Sequence, residues 1–165
     1  MKYKKPFLLI TFVLALVTLN NSQAQTDKTQ APRIFNSSDP TDLMEFTRLS
    51  LDTTHPDLLD PSVARDDQKN VVASWAQLHK SIGKYLDAHD FTWDIKSESV
   101  AIYQRIYFNG DGQITNYLFN IKEPEVTVEK KEEFGKLLAS FAAEHKLAYA
   151  RPTPFAQCGK TRLAN

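Results

Sequence analysis

Apolar residues recur at helical spacing in three stretches of the chain and gather in strand-like runs in four others. Leu43, Phe46 and Leu49 share one side of a short helix introduced by Ser38-Asp39-Pro40, a capping residue followed by a proline suited to the first turn. Pro56 and Pro61 end that helix, and Asp60-Pro61 can start the next. There Val71, Trp75, Leu78, Ile82 and Leu86 recur at steps of four and three, which puts them on one face. A third helix is expected over about 129–145, with Phe134, Leu137, Leu138, Phe141 and Ala142 as its apolar stripe. Its acids Glu129, Glu132 and Glu133 lie in the first turns, where the helix dipole favours negative charge.

Residues 91–95, 100–108 and 113–121 read as strands, the last two dense in β-branched and aromatic residues. Asn109-Gly110-Asp111-Gly112 joins those two with the chemistry of a tight turn, because glycine reaches positive φ at no steric cost. A fourth strand, over 155–163, follows Pro152 and Pro154 and is expected at a sheet edge. Pairing Phe108 with Gln113 puts Ile102, Ile106, Phe108, Tyr117, Phe119 and Ile121 on one face of the hairpin. The other face then carries Tyr103, Arg105, Tyr107, Ile114, Asn116 and Leu118. The first set suits packing beneath helices. The second mixes aromatic rings with polar tips, as recognition surfaces do; a half-buried sheet face, or one covered by the N-terminal segment, is the competing reading.

A short internal echo fits this layout. Ile82, Tyr85, Leu86, His89, Phe91 and Trp93 align without gaps on Leu138, Phe141, Ala142, His145, Leu147 and Tyr149. Each copy ends a helix in histidine and then resumes an alternating pattern. The expected fold is therefore a single α+β domain over 38–165. It has a mostly antiparallel three- or four-stranded sheet with helices packed on one face.

The N-terminal end differs in kind. Lys2, Lys4 and Lys5 precede an apolar run over 6–19, and Ser22 and Ala24 stand as small residues before a cut at Gln25. That is the pattern of a signal peptide over 1–24, with too short an apolar run to span a bilayer. It implies a periplasmic or secreted protein with no transmembrane span in the mature chain. Residues 25–37 are polar and read as a flexible N-terminal arm. The chain has 20 basic and 20 acidic residues, so losing three leader lysines leaves a net charge of −3. Such a balance argues against nucleic-acid binding by phosphate neutralisation.

Candidate chemistry is sparse. The single cysteine, Cys158, can form no intrachain disulfide. With His145 or His89 it could make a thiol nucleophile, so a small hydrolase or thiol enzyme is the alternative function. Both histidines also suit a structural role at helix ends. No metal-ligand spacing, glycine elbow or phosphate loop is present, and no cofactor is expected. A calcium loop aligned on Gly112 would need ligands from Tyr107 and Leu118, which cannot supply carboxylates.

The stretch 102–108, followed by Asp111-Gly112-Gln113-Ile114-Thr115-Asn116, resembles the strand-"DG"-strand hairpin of TonB/TolA-type C-terminal domains. The helix from Glu129 and the terminal stretch through Gly159-Lys160 follow in the same order. The likeness covers about 100–163 and implies a periplasmic binding fold. The expected function is thus an exported envelope protein, a non-enzymatic binding or adaptor domain. Its expected partner is a protein or glycan of the cell envelope, met through Tyr103, Arg105, Tyr107 and Asn116.

Overall fold

The computed structural model describes residues 31–165. The expected signal peptide over 1–24 and residues 25–30 of the expected arm lie outside the described residues. The elements in chain order are β1 (Arg33–Asn36), α1 (Pro40–Arg48), α2 (Gln68–Asp87), β2 (Ser99–Phe108), β3 (Ile114–Ile121), α3 (Val128–Glu144) and β4 (Phe155–Ala164). The four strands form one sheet in the order β1-β3-β2-β4. The β2–β3 and β2–β4 pairs are antiparallel and β1 runs parallel to β3. The domain is α+β with a mostly antiparallel sheet, as the pattern of the chain leads one to expect, and β4 stands at an edge.

Capping explains where the helices begin. Asp39 accepts from the N–H groups of Thr41 and Asp42 at 2.7 and 3.1 Å, with Pro40 in the first turn of α1. Thr127 does the same for α3 through Lys130 N at 3.3 Å. Helix α2 begins at Gln68 and not at Pro61. The preceding polar stretch reaches only a 3-10 turn at Arg65–Asp67, having no buried side chain to hold it as a helix.

The strands depart from expectation in three places. Residues 33–36, assigned to the mobile arm, form β1, with Phe35 buried against the ring of Phe46 at 5.6 Å. Residues 91–95 are not a strand: Asp90 and Asp94 adopt positive φ of 52° and 55°. Phe91 and Trp93 nevertheless alternate inward. Trp93 is held by side-chain bonds in place of a ladder, its N–H on Asn165 Oδ1 at 2.8 Å and its indole N–H on the Ala164 carbonyl at 3.0 Å. The hairpin register slips between Tyr107 and Phe108, so Phe108 faces Ile114 while Tyr107 faces Asn116. That bulge reverses the alternation beyond it and turns Ile114 into the core, away from the face assigned to it.

Helices α2 and α3 cover the face of the sheet that carries Ile102, Ile106, Tyr117 and Phe119. Gln104 shares that side and is buried. Its amide donates to His79 Nε2, its oxygen accepts from the Tyr117 hydroxyl, and His79 Nδ1–H donates to the Trp75 carbonyl at 2.8 Å. The Gln104 amide, as donor, needs a bare Nε2, whereas the Trp75 carbonyl accepts from Nδ1–H in either state. Burial lowers the His79 pKa from its ordinary 6.5. A protonated ring would set two donors against each other, whereas the unfolded chain takes the proton freely. The stabilisation is therefore complete above about pH 6.5 and is lost as pH falls below it. Melting curves from pH 8 to pH 5 are expected to show this acid loss, and His79→Gln to flatten it. An unchanged slope in His79→Gln would contradict the assignment.

Candidate functional site

The opposite face of the sheet is only half covered. Helix α1 and the 3-10 turn Leu51–Thr53 lie over its end at Tyr107, bringing Phe46 within 5.8 Å and the edge of His55 within 5.4 Å of that ring. The Tyr107 hydroxyl donates to Asp52 Oδ1 at 2.6 Å. Burial and the neighbouring carboxylate push its pKa well above the usual phenol value. Tyr107 is fully buried, so this member of the expected recognition set faces the protein itself. The physical reason is the cover by the N-terminal segment. Asn116, half-buried opposite Tyr107, bonds Thr115 Oγ1 at 3.3 Å and also lies away from the open area.

The uncovered half centres on Tyr103, which is 42% exposed. It pairs with Asn120 of β3 on one side and Lys160 of β4 on the other. The ammonium groups of Lys122 and Lys160 sit 5.1 and 5.0 Å from its ring centroid. Arg105, one step along the same face, bonds Asp52 at 3.0 Å and stands opposite Leu118 and Cys158. Tyr103, Arg105, Leu118, Asn120, Cys158 and Lys160 line a recess of about 500 Å³. Its size suits a small ligand or a protruding side chain. Of the four residues expected at the site, the fold brings Tyr103 and Arg105 together there and sets Tyr107 and Asn116 apart.

No family model, curated protein or solved structure matches this chain.

Cys158 is exposed at the recess, and its backbone N–H meets Asp57 Oδ1 at 3.3 Å. Partial burial, then the Asp57 carboxylate, raise its thiol pKa, the direction opposite to an activated nucleophile. His89 and His145 give their Nδ1 atoms to the carbonyls of Tyr85 and Phe141, at 2.7 and 3.0 Å, one helical turn back. They finish the helices on the other side of the sheet, and among the described residues no imidazole bonds Cys158. The internal echo has a structural counterpart here. Tyr85 and Phe141 meet at 5.4 Å, and each packs on its own histidine, at 4.2 and 4.3 Å.

Reading the sequence missed the cations of the site. Lys160 joins Tyr103, and Arg162 stands opposite Ala101, only through the β2–β4 register, which no local pattern announces. Lys122, just past the hairpin on the alternation that carries Leu118 and Asn120, was missed as well. Among the described residues no helix is long and apolar enough to cross a membrane.

Proposed function

We propose that the chain is an exported envelope protein that binds a protein or glycan partner through the open half of its sheet, without catalysis. The observation that carries this reading is the uncovered recess around Tyr103. There an exposed ring, a guanidinium and an ammonium group converge on the rigid central strand of a sheet whose other face is filled. Ladder bonds on both sides hold the backbone of the central strand, so binding need order only side-chain rotamers there. The basic start and apolar run of residues 1–24 support export. The raised thiol pKa and the helix-end bonds of His89 and His145 favour binding over a thiol mechanism.

Tyr103→Ala tests the reading without touching the core. Capture of a stoichiometric partner from envelope extract is expected to fall at least tenfold in this variant, with melting temperature little changed, as for an aromatic anchor at an interface centre. Equal capture by the variant and the unaltered protein would place the binding surface elsewhere.

A further inference from the structure

We propose that the Tyr103 surface takes an acidic glycan, a sugar chain bearing carboxylates, with Lys122, Lys160 and Arg162 as the cations that receive it. The inference rests on the sheet-face reading above and names its ligand class.

Charge is the first ground. Lys160 from β4 and Lys122, just past the end of β3, reach the Tyr103 ring, and Arg162, two residues beyond Lys160 on the same side of β4, donates to Ser99 Oγ at 3.3 Å. Among the described residues none of the three has a carboxylate within ion-pair distance. The nearby acids keep their charge but pair with none of these three cations, and one oxygen of Glu123 is buried without a partner. Asp52 holds Arg105 and the Tyr107 hydroxyl, Asp57 accepts from the N–H groups of Leu59 and Cys158, and Glu123 accepts from Ala101 N. In a chain with equal numbers of acids and bases, a group of cations left without acids is a local departure from composition. An anion seated there would relieve their mutual repulsion.

The second ground is the recess itself. Its lining is almost wholly apolar, so polar recognition of a ligand falls to the ammonium groups of Lys122 and Lys160 beside the Tyr103 ring. Leu118 and Tyr103 supply apolar surface for the C–H face of a sugar.

The sheet ladder bears on the choice between a glycan and an acidic peptide over β2, and hexaglutamate tests the peptide that could add to the free edge of β4. The main-chain groups of β2 are paired on both sides, with β3 and with β4. An extended peptide laid across this face would find side chains but no backbone partners. A glycan needs side chains only.

The test is calorimetric titration of the exported protein with tetragalacturonate, with neutral tetragalactose, and with hexaglutamate. Tetragalacturonate is expected to bind, and to weaken about tenfold as salt rises from about 0.05 to about 0.5 M, because the contacts are solvent-exposed charges. The double variant Lys122→Gln/Lys160→Gln is expected to lose about twentyfold in affinity while melting as the unaltered protein does. Failure of tetragalacturonate to bind, equal binding of the neutral sugar, tighter binding of hexaglutamate, or full affinity in the double variant would each overturn the proposal. Partner capture that Tyr103→Ala abolishes but the double lysine variant leaves intact would sink the acidic-glycan inference alone. Capture indifferent to both would sink the sheet-face reading with it.

Discussion

Trp93→Ala is expected to destabilise the domain by about 4 kcal/mol, a large share of the 5–15 kcal/mol that holds a typical domain together. The indole is fully buried, 4.7 Å from the ring of Phe91 and 5.0 Å from that of Phe134. Its N–H is also the bond that fixes the end of β4, through the Ala164 carbonyl. Removing it opens a cavity between α3 and the sheet and leaves that carbonyl without its donor. Trp93→Phe keeps most of the ring packing and loses the hydrogen bond, so it is expected to cost about half as much. Denaturant unfolding monitored by far-UV circular dichroism gives both values. A loss below about 1 kcal/mol in Trp93→Ala would mean that the 91–95 segment does not close the core.

The second large effect is expected at the hairpin. Gly112 has φ of 80°, and a Cβ built there would meet the Tyr149 carbonyl oxygen at 2.6 Å and that of Leu147 at 2.8 Å. Backbone lines the space, so no side chain can swing aside. Gly112→Ala combines left-handed strain with that clash and is expected to cost about 3 kcal/mol. Gly83 offers the contrast. It lies within α2 with nothing within 4 Å of its Cβ position. Gly83→Ala is expected to stabilise by about 0.5–1 kcal/mol through helix propensity. Thermal melting of the two variants should move in opposite directions, and a neutral Gly112→Ala would contradict the turn geometry.

What could be read from the sequence divides along the range of the forces involved. The turn at Gly112 and the stripes of α2 and α3 are written in neighbouring residues, and they stand where the pattern puts them. The strand β1 was illegible because four residues carry no period of their own. Its partner, residues Asn116 to Phe119 of β3, lies far along the chain. Residues 91–95 show the converse. Their alternation was sound, yet Asp90 and Asp94, short polar residues that tolerate positive φ, bend the backbone out of any ladder. Tyr107 was misplaced by a covering segment, since only tertiary structure sets α1 and Asp52 above it. Of the residues expected at the site, Tyr103 and Arg105, on the exposed alternation of β2, border the recess. The cations from β4 became visible only with the sheet order.

Chemical-shift mapping of the labelled protein during titration with its captured partner addresses the binding surface itself. The expected result is a contiguous set of shifts at Tyr103, Arg105, Leu118, Asn120 and Lys160, with the outer faces of α2 and α3 silent. Shifts concentrated on those helices, with Tyr103 unmoved, would contradict it.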